Sequence, residues 1–294
     1  MEVALIGSGG TARAVGRNLL AAGHQLTLFD PAPEKAKDLT DAGATIATRL
    51  RDACNADAVV TVLSSARSLE EIVLGPNGVV AVMPAGTVHV SMSTISVALS
   101  RRLAAAHEER IQRYMAAPLL GGPDAAARSE LCIFAGGRAD IRSYCQSLFD
   151  AIARHTLEVS ENPAEANLLQ LCALGLIGSL IESLGEAVTL AAHGGIAPHR
   201  FLKLMSGSLF GEGLHASYGS LLNAEARPPR LLTVTQACHI ARLLLESAKG
   251  VGAVTPLVNL LLDRLQALEQ VGMGEVDWLA HSILASGGEN KDHR

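Results

Sequence analysis

Charged residues are scarce in this chain of 294 residues. They make up 18% of the composition, and the net charge of −5 provides no basic field that would attract nucleic acid or an anionic membrane. The expected partners are therefore a small-molecule substrate and a second copy of the chain. The N-terminus also lacks a basic segment before its first apolar run, which is too short for a signal peptide, so we expect a cytoplasmic protein.

Cysteines are few and follow no recognisable framework. They are odd in number, widely separated and without metal-ligand spacing: Cys54, Cys132, Cys145, Cys172 and Cys238. This usage is typical of a reducing compartment rather than of a disulfide-linked protein. We expect no metal centre and interpret all five as small buried hydrophobic residues.

The first twelve residues carry the most informative pattern. A short apolar run, Val3–Ile6, leads into a glycine-rich turn, and an amphipathic stretch, Thr11–Ala22, follows at once. Strand, turn and helix in this order are typical of a dinucleotide-binding unit, in which the pyrophosphate lies on free N–H groups at the helix start. The predicted cofactor-binding residues of the turn are Gly7, Ser8, Gly9, Gly10, Thr11 and Ala12.

An acidic residue stands where such a unit binds the adenosine ribose. Asp30 follows a second apolar run, Gln25–Phe29, and lies 21 residues after Gly9. A carboxylate there accepts hydrogen bonds from the ribose hydroxyls and repels a 2′-phosphate. We therefore expect NAD(H) as the preferred cofactor, with NADP(H) as the alternative because Lys35 and Lys37 are close in sequence.

The order of apolar patterns predicts two domains. Strand-like runs alternate with helical patterns up to about residue 159, which predicts an α/β Rossmann domain with a doubly wound, mostly parallel sheet over residues 1–160. Residues 161–294 carry helical spacing and are predicted to form a long interdomain helix and an all-α domain. The predicted later strands are Ala58–Leu63, Thr87–Ser91, Gln112–Ala116, Leu131–Ala135 and Thr156–Val159. The predicted later helices are Glu165–His193, Pro198–Ser206, Leu232–Val251, Thr255–Val271 and Glu275–Leu284.

The predicted interdomain helix is unusually apolar between Leu168 and Leu184. Gln170 and Glu182 interrupt the run and basic flanks are missing, so a buried helix covered on both faces is favoured over a membrane span. Small side chains on this helix would let a neighbouring helix approach closely: Gly175, Gly178, Ser179 and Ser183. The apolar surface exceeds what local elements can cover, which predicts a homodimer.

Several motifs occur together in the order known from one enzyme family. They are Gly7–Ala12, Ser91–Ser96, Ala117–Pro123, Phe134–Gly137, Glu186–Pro198 and Asp277–Trp278. On these segments the chain resembles the β-hydroxyacid dehydrogenase superfamily, which includes 3-hydroxyisobutyrate dehydrogenases and imine reductases. The resemblance implies an NAD(P)-dependent oxidoreductase with an active site in the cleft between its domains and a helical domain that completes a dimer.

The chain departs from the family at three polar positions. Gln170 stands where the acid dehydrogenases carry a catalytic lysine, and His239 aligns with a second lysine near the nicotinamide. Leu120 replaces a serine that helps to hold the substrate carboxylate. A glutamine amide can orient a substrate or a water molecule, but it cannot act as a general acid.

The resemblance supplies the remaining candidate residues. The catalytic candidates are Gln170, His239, Tyr218 and Ser93, and the further cofactor contacts are Leu63, Ser64 and Ser93. A purely structural role stays open for three of them: Ser93 as a strand-end cap, His239 as a packed histidine and Tyr218 as a half-buried aromatic.

Two classes of function are consistent with these residues. The first is an NAD(P)-dependent enzyme that transfers hydride to a C=N bond, as imine reductases do, or to a C=O bond. Within that class, a 3-hydroxy acid dehydrogenase that works without the lysine is the alternative. The second class is a non-catalytic protein that binds the dinucleotide, because both lysine positions are lost.

Overall fold

The computed structural model describes residues 1–207 and 232–278, and it divides into two compact units. The first consists of Met1–Ala173 together with Glu246–Ala253, and the second consists of Leu174–Leu245 and the chain from Val254 onward. The sequence prediction set the domain boundary at residues 160 and 161, where the last strand ends. In the structure the boundary between the units lies inside the long helix that follows.

The first unit is built on one sheet of nine strands, β1 to β9, all within the described residues. They are, in chain order, Glu2–Ile6, Gln25–Phe29, Thr45–Ile46, Ala58–Thr61, Val88–Ser91, Arg113–Ala116, Leu119–Leu120, Leu131–Gly136 and Ala153–Ser160. The spatial order is β3-β2-β1-β4-β5-β6-β8-β7, with β9 beside β8. The strand order reverses direction between β1 and β4, and ligands bind at such a switch point in open α/β sheets.

The predicted Rossmann sheet is confirmed, with two additions and one change of direction. The sequence analysis missed β3 and β7, which have two residues each and are too short to show a periodic pattern. Strand β8 runs antiparallel to β6 and β7, whereas the pairs between β1 and β6 and the pair of β8 with β9 are parallel.

Both faces of the sheet are covered by apolar layers. Val3 and Leu5 belong to the core cluster on one face, and Ala4 and Ile6 belong to the cluster on the other. Side chains alternate between faces along a strand, and a parallel strand buried on both sides needs apolar residues at every position. This is the reason why β1 is a continuous apolar run.

The helices of the first unit, α1 to α8, pack on this sheet. They span Gly10–Ala21, Lys37–Asp41, Leu50–Ala53, Ala66–Leu74, Val79–Val82, Val97–Glu109, Pro123–Ala127 and Ala139–Ile152, and a 3-10 turn covers Pro33–Ala36. The later helices, α9 to α12, span Pro163–His193, Pro198–Ser206, Val234–Gly250 and Pro256–Gln270.

The predicted helix Glu275–Leu284 is wrong in its first residues. Glu275 to Asp277 are not helical, because the backbone of Asp277 forms an antiparallel bridge with Thr233. The remainder of that predicted helix, from residue 279, lies outside the described residues.

The long helix α9 is only partly buried. By length and composition it could cross a membrane, with a mean hydropathy of 1.7, and 33% of its most apolar window is buried. The described residues of one chain do not cover both faces of this helix, since Leu169, Leu176 and Leu180 are exposed. The predicted close approach is confirmed in the second unit, where a Cβ added at Gly175 would lie 2.5 Å from Leu244 Cδ1.

The prediction of five buried cysteines is confirmed for three and wrong for two. Cys54, Cys145 and Cys238 are buried, Cys132 is half-buried and Cys172 is exposed. Cys172 lies on α9 between the exposed Leu169 and Leu176, so it shares the side of that helix that the described residues leave exposed. All five are free thiols. In the part of the chain that the structure describes, no group of three or more His, Cys, Asp or Glu residues is placed to hold a metal ion.

Candidate active site

The glycine turn between β1 and α1 has the geometry that a bound pyrophosphate needs. Gly7 has a φ of +121°, and a Cβ there would lie 2.3 Å from the carbonyl oxygen of Val62, so only glycine fits. A Cβ at Gly9 or at Gly10 would meet nothing within 4 Å, so the space above the turn is open.

The start of α1 is also free to receive an anion. Gly9 is the N-cap residue and provides no side-chain cap, and the first turn contains no acidic residue. The backbone N–H groups of that turn therefore face the open space with the positive end of the helix dipole. Ala12 is fully buried in the core and holds the helix against the sheet. The residues of the turn fit a dinucleotide phosphate.

Asp30 lies directly after β2, at the same edge of the sheet. Its Oδ1 accepts a hydrogen bond from the backbone N–H of Ala32 at 2.8 Å, which fixes the carboxylate in an Asx turn and leaves Oδ2 available. The exposed Lys35 lies nearby, and its carbonyl oxygen accepts a hydrogen bond from Arg13 Nη1 at 3.2 Å. Arg13 also forms an ion pair of 3.6 Å with Asp38. The sequence analysis had not identified Arg13.

Two of the predicted contacts, Leu63 and Ser93, are brought together by the fold. The backbone N–H of Leu63 donates to Ser93 Oγ at 2.9 Å, and Ser93 is buried. The bond joins the segments that follow β4 and β5, next to the turn where Val62 contacts Gly7. Ser64 is exposed at the same place. These residues therefore cluster at the carboxyl edge of the sheet, where the switch point predicts a ligand.

Gln170 belongs to the first unit and joins this cluster. Its Nε2 donates to Thr94 Oγ1 at 2.9 Å and to the carbonyl oxygen of Leu119 at 2.7 Å. A backbone carbonyl can only accept, so this contact fixes which end of the amide is nitrogen. Gln170 is 1% exposed, and its Oε1 is buried without a hydrogen-bond partner among the described residues. The side chain thus has one unused capacity, which is to accept a hydrogen bond.

Asn167 is a site residue that the sequence analysis missed. It lies one helical turn before Gln170 and is fully buried, and neither Oδ1 nor Nδ2 has a partner in the part of the chain that the structure describes. Burying such a group unpaired costs about 1–3 kcal/mol, so an asparagine retained in this place indicates a ligand or a bound water molecule. The available signal was a polar residue three positions before Gln170 in a helix that is otherwise apolar.

The other two catalytic candidates are placed differently. His239 lies on α11 in the second unit, and its buried Nε2 has no hydrogen-bond partner within residues 1–207 and 232–278. Burial lowers the pKa of His239, and the charge of Arg242 lowers it further, so the imidazole is neutral at pH 7. Tyr218 lies outside the described residues.

A buried hydrogen-bond chain begins at Thr61, at the end of β4. Thr61 Oγ1 lies 3.0 Å from His89 Nε2, His89 Nδ1 lies 2.8 Å from His107 Nε2, and His107 Nδ1 lies 2.8 Å from Gln112 Oε1. The Gln112 amide nitrogen donates to two backbone carbonyls, so its oxygen must accept from His107. Each histidine therefore carries its proton on Nδ1, and both are neutral. The sequence analysis had not identified this chain.

Residues 2–161 match the model of the NAD binding domain of 6-phosphogluconate dehydrogenase. Over 281 residues the chain is 33% identical to YfjR, an uncharacterized oxidoreductase of Bacillus subtilis, which covers 95% of this chain and 98% of that protein. The chain belongs to the β-hydroxyacid dehydrogenase superfamily. It is also 28% identical to an NAD-dependent L-serine dehydrogenase of Pseudomonas aeruginosa, over 94% of this chain and 95% of that one.

Two solved structures show the same fold. One is a 3-hydroxyisobutyrate dehydrogenase of Mycobacterium tuberculosis with L-serine, with a TM-score of 0.85, 22% identity and coverage of 97% of this chain and 99% of that one. The other is an imine reductase from Pseudomonas sp., with a TM-score of 0.63, 18% identity and coverage of 98% and 99%. The protein is an NAD(P)-dependent oxidoreductase of this superfamily and binds a nicotinamide dinucleotide.

Proposed function

We propose that the protein reduces a C=N bond of a small imine, with NADH as the preferred cofactor. The observation that carries this proposal is the buried, neutral amide of Gln170, the residue that the resemblance aligns with the family's catalytic lysine. When bound, the nicotinamide supplies the hydride. The glycine turn holds the pyrophosphate, Asp30 accepts from the ribose hydroxyls, and Ser93 and Gln170 orient the reacting end.

The absence of an acid at residue 170 separates the two kinds of substrate. Hydride addition to a carbonyl carbon produces an alkoxide, which must take a proton from a neighbouring acid. Hydride addition to a protonated imine produces a neutral amine, which needs no proton. Gln170 carries no titratable proton. This feature favours the imine.

The preference for NADH follows from two carboxylates near the ribose position. Asp30 would accept from the 2′-hydroxyl and repel a 2′-phosphate. Arg13 is one of the cations near this position, and Asp38 already pairs with it at 3.6 Å. NADPH binding would have to break that pair and overcome the charge of Asp30.

A second candidate function is the oxidation of a 3-hydroxy acid. The similarity to an NAD-dependent L-serine dehydrogenase favours it. Leu120 argues against it, because this side chain cannot hold a carboxylate.

A substrate panel separates the two candidates. Cyclic imines and aldehyde plus amine pairs are tested with NADH, and short 3-hydroxy acids are tested with NAD. We expect turnover with imines, and turnover with hydroxy acids alone would refute the proposal.

We further propose a homodimer that covers the exposed side of α9. Leu176 and Leu180 are 63% and 50% exposed, and they are one helical turn apart on the same face. Contiguous apolar surface of this kind marks an interaction site. Sedimentation should give a dimer at low micromolar concentration and a monomer for Leu176→Lys, and a monomeric wild-type protein would contradict this proposal.

A further inference from the structure

The amide nitrogen of Gln170 has no remaining donor capacity. An amide NH2 group has two hydrogens, and Nε2 directs one to the carbonyl of Leu119 at 2.7 Å and the other to Thr94 Oγ1 at 2.9 Å. The opposite orientation would place Oε1 against the carbonyl oxygen of Leu119, where two acceptors would repel each other. The amide is therefore locked with its oxygen on the free side.

The free Oε1 is a buried acceptor that no described residue satisfies. Buried polar atoms are almost always paired, because an unpaired one loses its hydrogen bonds to water and gains nothing in return. The two groups that accept from Nε2 of the same amide, a hydroxyl and a backbone carbonyl, are both neutral. The group that completes the site must therefore be a hydrogen-bond donor, and a donor with positive charge meets the negative end of the amide dipole.

We propose that Gln170 Oε1 accepts a hydrogen bond from the N–H of a protonated imine, so that the enzyme selects imines whose nitrogen carries a hydrogen. This inference rests on the proposed function and narrows its substrate class. A fully substituted iminium has no N–H, and a ketone presents only an acceptor. Both leave Oε1 unpaired, and a site built to bind a substrate N–H rejects analogues that lack it.

The chemical step balances without a proton from the protein. The hydride forms the new C–H bond, and the π electron pair of the C=N bond becomes the lone pair of the nitrogen. The iminium loses its charge, NADH is oxidised to NAD⁺, and the N–H proton stays on the amine. Gln170 thus acts as a specificity-determining residue that holds the nitrogen throughout the step.

The location of Gln170 supports this role. Thr94 follows Ser93 in the segment after β5, and Ser93 is joined to Leu63 beside the glycine turn. Asn167, which is also buried and has no partner among the residues described, lies one turn earlier on the same helix. The free acceptor therefore lies at the sheet edge that carries the cofactor-binding turn.

The test uses two substrates that share one ring: a cyclic imine that is protonated at neutral pH, and its N-methyl iminium counterpart. We expect wild-type kcat/KM to favour the imine with an N–H by about 10- to 100-fold, the range for a hydrogen bond to a charged group. Gln170→Met keeps a side chain of similar length but removes the acceptor. It should bring that ratio close to one, by lowering kcat/KM for the imine with an N–H while kcat/KM for the N-methyl iminium stays unchanged.

Two further variants keep the test informative. Thr94→Val keeps Gln170 Oε1 but removes one of the two hydrogen bonds that orient the amide. Its kcat/KM ratio should lie between the wild-type ratio and one, and this variant provides the test if Gln170→Met does not fold. Ser96→Ala is the matched control: Ser96 Oγ caps α6 by accepting from the Leu99 N–H at 3.2 Å, so its loss should leave the ratio unchanged. Thermal unfolding reports the stability of each variant.

A binding measurement adds a readout that does not depend on turnover. Calorimetry of the enzyme with NAD⁺ should detect pyrrolidinium, which has N–H groups, and not N,N-dimethylpyrrolidinium, and Gln170→Met should lose this difference. Equal kcat/KM for the two iminium substrates, or an unchanged ratio in Gln170→Met, would overturn the inference and leave imine reduction intact. A lack of turnover with any imine would overturn the proposed function together with the inference.

Discussion

The buried pair of His89 and His107 makes the first unit sensitive to acid. Burial lowers the pKa of His107 from its ordinary value of 6.5 to about 4. Burial and the neighbouring His107 lower the pKa of His89 well below that ordinary value. The unfolded chain therefore binds protons at a pH at which the folded chain does not. The contribution of this histidine pair to the free energy of unfolding is fully present above pH 6.5, and it is lost as the pH decreases towards 4.

The magnitude follows from the His107 shift. Each proton taken up only by the unfolded state costs about 1.4 kcal/mol per pH unit below 6.5, so His107 alone costs about 2 kcal/mol at pH 5.0. His89 adds to the loss in the same direction. Urea unfolding followed by circular dichroism at pH 7.5 and pH 5.0 measures the difference in the free energy of unfolding.

The control separates this pair from the general titration of the protein. His107→Asn should be less stable at pH 7.5 but should lose about 2 kcal/mol less than wild type between the two pH values. His155, which is exposed on β9, provides the matched variant, and His155→Asn should behave like wild type. An equal loss in wild type and His107→Asn would refute the assignment of a neutral buried pair.

The remaining predictions concern the cofactor. Gly9→Val should fold normally because its Cβ meets nothing within 4 Å, yet it should abolish NADH binding in a fluorescence titration by filling the pyrophosphate position. Gly250→Val, at another glycine with open space, is its control, and NADH binding by Gly9→Val would contradict the site. Asp30→Ala should weaken NADH binding by about 10- to 100-fold and NADPH binding less. Asp38→Ala should release Arg13 and tighten NADPH binding, and a wild type that prefers NADPH would refute the role of Asp30.

The cofactor turn could be predicted because its requirements are local. Gly7 has a positive φ, Gly9 has free space beside it and Ala12 is small, and all three lie within six consecutive residues. Each of these requirements restricts the residue type at its own position and can therefore be recognised in the sequence. Asp30 was found in the same way, because its distance from the turn is set by one helix and one strand. The apolar runs of the Rossmann sheet are equally local signals.

Contacts between distant segments could not be predicted. His89 and His107 are separated by 18 residues, and neither periodicity nor spacing indicates that a strand and a helix bring them to 2.8 Å. Position 170 was identified by alignment, but its hydrogen bond to the carbonyl of Leu119 depends on β7, a strand of two residues that no pattern signals. Asn167 was missed for a related reason, since only the packed structure reveals that its amide is unpaired.

The contact between Gln170 and the Leu119 carbonyl has an evolutionary consequence. A main-chain oxygen is present whichever side chain occupies position 119, so substitution of Leu119 does not remove the acceptor of this hydrogen bond. The orientation of the amide is consequently insensitive to mutational drift in β7. A change of substrate preference through the orientation of this amide would require substitution at Gln170 itself or at Thr94. Close relatives could therefore diverge in selectivity at only a few positions of this contact.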